Sequence, residues 1–290
     1  MTFPRAAGVL LHPTSLPGTD GIGDLGPDAH RFLDVLAQSG LKIWQMLPLG
    51  PTGYGDSPYQ CFSAFAGNPM LIHIPGGTPT NFPEYAVEWE HVLPYKRHRL
   101  RTALAAYTPD ARFQAFVREH TDWLPDYALF MALKEAHDGM EWTRWEPGAA
   151  RRDPAALASW RTTLADSIGL YEREQYFFFT QFQALKTAAK TRGIELMGDL
   201  PIYVAHDSAD VWAHRDCFML DENGHKLVQA GVPPDYFSAT GQCWGNPIYN
   251  WAALKQTGYA WWVRRMRAAF QLFDSVRLDH FRGFEAYWEV

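Results

Sequence analysis

The most informative pattern in the chain is a set of four short, mainly apolar segments, three of which are followed by polar, Gly/Pro-rich or acidic loops. They lie at residues 6–11, 41–47, 193–201 and 276–279. A continuous apolar run of this length is typical of a strand buried on both faces. The stretches between the runs have helical spacing, and strands that alternate with helices form parallel sheets. The pattern predicts an α/β fold, whose natural extension is a (β/α)₈ TIM barrel with about the first four βα units present.

The spacing of the runs predicts three parts. Residues 1–66 hold the first βα units of the barrel. Residues 67–192 are far longer than a single crossover helix needs, so we predict a mainly helical inserted subdomain. Residues 193–290 hold strands three and four, with an inserted loop-rich region at about 202–250 that is dense in Gly and Pro.

The final helix is predicted over residues 259–273, directly before the last strand. Its apolar stripe includes Trp262, Val263, Ala269 and Phe270. Three arginines lie off this stripe and are predicted to face solvent: Arg264, Arg265 and Arg267.

Composition and charge exclude several classes of protein. The formal net charge is −6 with no basic run, so we predict no nucleic-acid partner. No apolar stretch approaches the roughly 18 residues that span a membrane, so we predict no membrane partner. Cys61, Cys217 and Cys243 are odd in number and widely spaced, which indicates reduced, buried thiols of a cytoplasmic protein. No metal-ligand spacing occurs, so we predict no metal and no cofactor.

Aromatic residues are unusually frequent, with 12 Trp, 13 Tyr and 18 Phe. One interpretation is a large aromatic core. The other is a set of flat faces on which a sugar ring or a base could stack. The sequence leaves both open.

Candidate chemistry lies where the apolar runs stop. Asp279 follows the last run and stands between Arg277 and Arg282 in sequence, and Asp199 ends the third run in the same way. A carboxylate beside a guanidinium stays ionised, as a nucleophile or an electrostatic stabiliser must. A structural Arg–Asp pair at a strand end explains the same residues equally well.

A rigid loop follows the second run and presents two tyrosines, Tyr54 and Tyr59. Loops after the strands of such folds are where binding residues collect. The alternative is a pair of surface tyrosines that cover the end of the sheet.

Six segments distributed along the chain resemble the 4-α-glucanotransferases of the amylomaltase type (disproportionating enzymes, glycoside hydrolase family 77), and correspond to the N-terminal part of such enzymes. No single segment is specific, but the set is. The segments are GVLLHPTSL at 8–16, GYGDSPYQ at 53–60, MGDLP at 197–201, PPDYF at 233–237, WGNP at 244–247 and RLDHFR at 277–282.

The resemblance implies a reaction centre around the last strand. Asp279 would be the nucleophile that forms the glucosyl-enzyme intermediate. Arg277 would keep that carboxylate ionised, and His280 would bind sugar hydroxyls near the cleaved bond.

The resemblance also implies a set of glucan-binding residues. Asp199 would bind the donor sugar, and Tyr59 would stack on or hydrogen-bond a glucose ring with Ser57 nearby. Trp244 would lie on the acceptor side. The remaining implied positions are a loop that folds over the glucan, with Pro234, Tyr236 and Phe237, and a second glucan-binding patch at Tyr54.

The activity implied is transfer of segments of 1,4-α-D-glucans to a glucose or glucan acceptor by retaining double displacement. The partners would be maltooligosaccharides and linear α-1,4-glucans. The proton donor of the family, a Glu after the next strand, has no matching position, nor has a further Asp, and Glu285 and Glu289 lie too close to Asp279. We therefore expect an incomplete enzyme with little or no activity. The alternatives are an α-glucan hydrolase of the same clan and a non-catalytic glucan-binding protein.

Overall fold

The fold was analysed on a computed structural model, which describes residues 5–76, 81–234, 236 and 238–290, with the backbone alone of Tyr54. The described residues form two sheets. The larger is a four-stranded parallel sheet of order β1-β2-β3-β6, and the smaller is antiparallel with order β5-β4-β7. The strands are β1 (Gly8–Leu10), β2 (Ile43–Gln45), β3 (Glu195–Pro201), β4 (Gln229–Val232), β5 (Gln242–Pro247), β6 (Ser275–Asp279) and β7 (Trp288–Glu289).

Ten α-helices lie in the described part of the chain. They are α1 (Pro27–Gln38), α2 (Trp89–Ala105), α3 (Ala111–Glu119), α4 (Leu124–Ala136), α5 (Pro147–Ala150), α6 (Pro154–Thr163), α7 (Ala165–Thr191), α8 (Ala209–Ala213), α9 (Trp251–Gln256) and α10 (Ala260–Leu272). None of them is both long and apolar enough to cross a membrane.

The four predicted strands are the strands of the parallel sheet, so the predicted α/β class is confirmed. Within the described residues this sheet is open, with β1 and β6 at its edges. A glycine follows the last turn of helices α1 and α7. Gly40 and Gly193 adopt positive φ angles of 73° and 65°, and the next residue in each case bonds back into the last turn.

Two apolar cores hold these elements together. The first lies between the parallel sheet and α1, α2 and α7, where Trp44, Leu196 and Phe182 are fully buried. The second joins the helical segment to the chain after β3 and contains Trp142 and Trp212, also fully buried. Most of the aromatic residues therefore pack in these cores, which agrees with the interpretation of the aromatic content as a large aromatic core.

The region at 202–250 is more ordered than its composition suggested. It contains α8 and the antiparallel pair β4–β5, and β7 pairs with the other edge of β4. These strands are short, rich in Gly and Pro, and interrupted by a bulge, so they carry little of the alternation that reveals a strand.

The prediction that Arg265 faces solvent is wrong. Its side chain is buried beside Trp261 and Trp262, with its guanidinium carbon 5.4 and 5.0 Å from the two ring centres. Val263 and Phe270, from the predicted apolar stripe, are exposed instead. The predicted stripe was wrong because it was built from apolar side chains alone. The buried face of α10 also includes the Arg265 guanidinium, which contacts indole rings and carbonyl groups.

The prediction of buried thiols also fails in part. Cys243 is exposed, and Cys61 and Cys217 are half-buried, all three without a disulfide. The cytoplasmic location inferred from the cysteines stays a prediction.

Gly67 lies in the segment that follows β2, at a point where this segment contacts α7. Replacing Gly67 by Ala is expected to destabilise the fold. A Cβ atom there would lie 2.0 Å from Cδ1 of Phe178, a fully buried ring that cannot move away. The Gln175 side-chain amide also binds the Gly67 backbone: its oxygen accepts from the Gly67 N–H at 2.7 Å, and its nitrogen donates to the Gly67 carbonyl at 2.9 Å. We expect the free energy of unfolding, measured by urea denaturation, to fall by about 1–3 kcal/mol.

Gly169→Ala is the matched control within α7. The nearest atom to its Cβ would be Arg173 Nη2 at 3.9 Å, so nothing clashes. The gain in helix propensity should raise the free energy of unfolding by about 0.5–1 kcal/mol. If both substitutions changed the free energy of unfolding equally, the contact with Phe178 would not exclude a side chain at position 67.

Candidate active site

The candidate site forms where β3 and β6 end side by side. In the parallel register Asp199 is opposite Arg277, and Pro201 is opposite Asp279. Since side chains alternate along a strand, Asp199, Arg277 and Asp279 emerge on one face of the sheet. The sequence places charged residues at these alternate positions, and the register brings them together.

Arg277 bridges the two aspartates. Its Nη1 donates to Asp199 Oδ2 at 2.7 Å, and its Nη2 donates to Asp279 Oδ1 at 2.5 Å. Short charge-assisted bonds of this kind fix the position of the groups they join. Burial works against the charge of Arg277, but the two carboxylates outweigh it and raise its pKa.

Asp199 and Asp279 differ sharply in exposure. The side chain of Asp199 is 1 % exposed, whereas that of Asp279 is 35 % exposed. Burial raises the pKa of Asp199, although hydrogen bonds from Tyr59 and Arg277 pull in the opposite direction. Asp279 is therefore the carboxylate that a substrate can reach.

Tyr59 connects the loop after β2 to this cluster. Its hydroxyl donates to Asp199 Oδ2 at 2.9 Å, so that oxygen accepts from both Tyr59 and Arg277. Burial and the bond to Asp199 raise the pKa of Tyr59 to about 12, which keeps the phenol protonated as a donor.

A cleft of about 260 Å³ lies over the end of β6. Its walls are aromatic and polar, and His280 stands in the left-handed region with φ 52°, where a residue other than Gly is strained. The His280 and Trp244 rings make a T-shaped contact, with their centroids 4.9 Å apart. The lining residues are Tyr59, Gln60, Pro201, Ile202, Tyr203, Trp244, Asn246, Asp279 and His280.

Comparison with known proteins assigns the chain. The sequence profile of the family described as 4-alpha-glucanotransferase, glycoside hydrolase family 77, matches residues 11–290. The chain belongs to this family.

Two relatives and one solved structure show the extent of the similarity. The chain is 49 % identical to the 4-alpha-glucanotransferase of Thermus thermophilus over its whole length, which is 61 % of that relative. It is 39 % identical to the chloroplastic/amyloplastic 4-alpha-glucanotransferase of Solanum tuberosum, with 99 % of this chain and 53 % of the relative covered. Amylomaltase from Streptococcus agalactiae, solved in complex with acarbose, superposes with a TM-score of 0.93 at 40 % identity, over 99 % of this chain and 61 % of that one. The chain thus spans about three fifths or less of the length of these family members.

Within the family fold, five of the sequence-predicted residues come together: Tyr59, Asp199, Arg277, Asp279 and His280, with Trp244 against the last. Ser57 is not among the lining residues of the cleft. Its hydroxyl accepts a bond from the Tyr59 amide at 3.3 Å, so it shapes the turn that carries Tyr59.

Of the residues predicted for the loop over the glucan, Pro234 and Tyr236 lie between β4 and β5 and are not among the residues that line the cleft. Pro234 is exposed and Tyr236 is 97 % exposed. Phe237 lies outside the described residues. Tyr54 begins a 3₁₀ turn (Tyr54–Asp56), and its side chain also lies outside the described part.

Sequence reasoning missed Tyr203 and Asn246, which line the cleft. Tyr203 comes two residues after the end of β3, a position at which binding residues are common. Asn246 lies within the WGNP segment, and its amide donates to the Val204 carbonyl at 2.8 Å. Among the described residues, no group of three or more His, Cys, Asp or Glu side chains could hold a metal ion.

Tyr59→Phe tests the geometry of this cluster without reference to activity. The Tyr59 hydroxyl stabilises the ionised form of Asp199, so its removal should raise the pKa of Asp199 further. We also expect the free energy of unfolding to fall by about 1 kcal/mol. NMR titration of the ¹³C-labelled carboxyl groups measures the first effect. Tyr85→Phe, at a tyrosine that is 92 % exposed, is the control, and an unchanged or lowered pKa of Asp199 in Tyr59→Phe would contradict the geometry.

Proposed function

We propose that this cluster is the nucleophile side of a retaining 4-α-glucanotransferase centre that acts on α-1,4-linked glucans. The observation that carries the proposal is the Arg277 bridge, which holds the exposed Asp279 beside the buried Asp199 at the mouth of an aromatic cleft. Membership of the family supports the class of reaction. The acarbose bound by the amylomaltase of Streptococcus agalactiae supports sugars as ligands.

Asp279 takes the role of nucleophile. One of its oxygens attacks the anomeric carbon of the donor glucan while the glycosidic C1–O bond breaks and the leaving oxygen takes a proton. The 4-hydroxyl of an acceptor glucan then attacks the same carbon, gives up its proton, and releases the carboxylate. Two inversions leave the α configuration unchanged.

Arg277 and Asp199 prepare this carboxylate. The guanidinium donates to Asp279 Oδ1 and fixes the direction of that carboxylate. Because Asp199 is almost fully buried, we propose that it acts on the donor sugar through Tyr59 and Arg277.

The cleft residues bind the glucan. We propose that His280 contacts sugar hydroxyls, Trp244 the acceptor ring and Tyr59 the donor, which is supported by their common place in the cleft lining. We extend the proposal to the hairpin residues Pro234, Tyr236 and Phe237 as a cover over the glucan that limits access of water. Tyr54 is proposed for a second glucan-binding patch.

No described residue is assigned as the proton donor. Glu285 and Glu289 are exposed and are not among the residues that line the cleft. We keep the (β/α)₈ barrel and the division at 1–66, 67–192 and 193–290 as part of this proposal, because the four parallel strands with intervening helices are the arrangement such a barrel repeats.

Product analysis with maltotriose tests the proposal. Transfer yields glucose together with maltodextrins longer than maltotriose. Short sugars alone would indicate hydrolysis and would contradict the proposed transferase. Because no described residue is assigned as the proton donor, we expect little or no turnover of maltotriose by this chain, so absence of turnover does not distinguish the proposal from a glucan-binding protein. The absence of a covalent adduct on Asp279 with α-maltosyl fluoride would indicate a glucan-binding protein and contradict the proposed transferase.

A further inference from the structure

A narrow cavity of about 80 Å³ lies beneath the cleft, at the end of β3. Three residues that line it carry a buried polar atom without a hydrogen-bond partner among the described residues: Asp199 Oδ1, Tyr203 Oη and Arg265 Nε. Buried polar atoms are almost always paired with protein or water. Three such atoms around one cavity, close to the candidate nucleophile, require a common explanation.

The cavity and its lining suit water. A buried water needs about 10–15 Å³ and two to four polar partners, so this volume holds more than one. The three atoms are also complementary, since Asp199 Oδ1 accepts, Arg265 Nε donates, and the Tyr203 hydroxyl does both.

Arg265 is an unusual member of this group, because it is 3 % exposed and its guanidinium is bound mainly by neutral groups. A buried guanidinium is costly unless other groups take up its charge and donors. The buried Asp210 carboxyl interacts with its charge, and carbonyl oxygens accept from its donors: Nη2 donates to Pro201 at 2.6 Å, and Nη1 donates to Ile202 at 3.0 Å. Tyr249, 3.2 Å from Nη1, donates its own hydroxyl to Ile202 at 2.7 Å.

These bonds hold the end of β3, next to the candidate active site. Pro201 ends β3, lies two residues after Asp199, and is opposite Asp279 in the sheet register. The two bonds from Arg265 therefore fix the end of the strand that presents Asp199, and Arg265 and Asp199 both line the cavity.

We propose that Arg265 is a positioning residue for the candidate active site. It clamps the end of β3 through the Pro201 and Ile202 carbonyls, and water in the cavity connects its Nε–H to Oδ1 of Asp199. The importance of this link for sugar binding rests on the function proposed above, whereas the link itself does not.

The test compares Arg265→Met and Arg265→Lys with Arg267→Met, a control at an exposed arginine of the same helix. NMR titration reports on the Asp199 carboxyl, which is assigned with an Asp199→Asn variant. Loss of the donor to the ionised carboxylate should raise the pKa of Asp199 in Arg265→Met, and Lys, which keeps the charge, should restore much of the original value. Maltotriose binding should weaken about tenfold in Arg265→Met. The control should change neither quantity.

Two further measurements cover the case in which Arg265→Met does not fold. Tyr203→Phe removes a single oxygen from the cavity and should also raise the pKa of Asp199. A crystal structure of the unmodified chain should show ordered water within hydrogen-bond distance of both Asp199 Oδ1 and Arg265 Nε.

An unchanged Asp199 titration in the arginine and Tyr203 variants, or a dry cavity, would overturn the proposal. A chain that shows the titration shift but never binds maltotriose would refute the proposed function while leaving the water link in place.

Discussion

Replacing Asp279 by Asn is expected to abolish the covalent adduct that the chain forms with α-maltosyl fluoride. Fluoride leaves the anomeric carbon without being protonated, so this donor tests the nucleophile independently of any proton donor. With Asp279 intact, the C1–F bond breaks, a bond from C1 to a carboxylate oxygen forms, and fluoride departs. Asn has nearly the same shape but no carboxylate to form the ester, so adduct formation should slow by about a thousandfold or more.

Intact-mass spectrometry in the absence of an acceptor sugar measures this adduct. Peptide mapping should locate the added maltosyl group on Asp279. Glu285→Gln, at an exposed carboxylate shortly after the strand, is the matched control and should label as the unmodified chain does. An adduct that persists in Asp279→Asn, or that maps to Asp199, would refute the assignment of the nucleophile.

The strand ends around this nucleophile could be predicted because the change from apolar to charged residues marks them in the sequence. Their apolar residues stop at Asp199 and Asp279, and parallel neighbours bring their carboxyl ends to the same edge. The sequence could not say whether Arg277 or Arg282 pairs with Asp279. That depends on alternation along β6, which puts Arg277 and Asp279 on one face, and on the one-to-one register with β3.

Residues whose roles depend on contacts far along the chain were the ones missed. Arg265 reads as a surface residue of a helix, and only the position of α10 against the end of β3 shows that its donors meet the Pro201 and Ile202 carbonyls. Tyr203 and Asn246 come from a region with weak periodicity, so the neighbouring sequence does not predict that both line the cleft. Local pattern predicts elements, whereas polar contacts between distant elements follow from packing.

Glu174 shows the same limit, in a part of the molecule away from the cleft. It lies on α7, is 6 % exposed, and its Oε2 has no partner among the described residues. Its nearest cationic neighbours do not compensate, since Arg101 is already held by both oxygens of Glu135 at 2.7 Å. Burial raises the pKa of Glu174 from 4.5 to about 8 against the opposing influence of Arg101 and Arg97. The side chain is therefore protonated in the folded chain at neutral pH.

This protonation makes the contribution of Glu174 to stability fall as the pH rises. Between the unfolded pKa of 4.5 and the folded pKa of about 8, the folded state holds one more proton at Glu174 than the unfolded state does. The contribution is thus complete below pH 4.5 and is lost progressively up to about pH 8. Glu174→Gln keeps the shape of the side chain but cannot ionise, so above pH 8 it should be more stable than the unmodified chain by about 3–5 kcal/mol.

Urea denaturation of both proteins across this pH range measures the difference. At the acidic end the two free energies of unfolding should be similar, and they should separate as the pH rises. Glu119→Gln, at an exposed residue of α3, is the control and should run parallel to the unmodified chain. If Glu174→Gln ran parallel to the unmodified chain as well, Glu174 would have to be ionised in the folded state, and the raised pKa assigned to its burial would be contradicted.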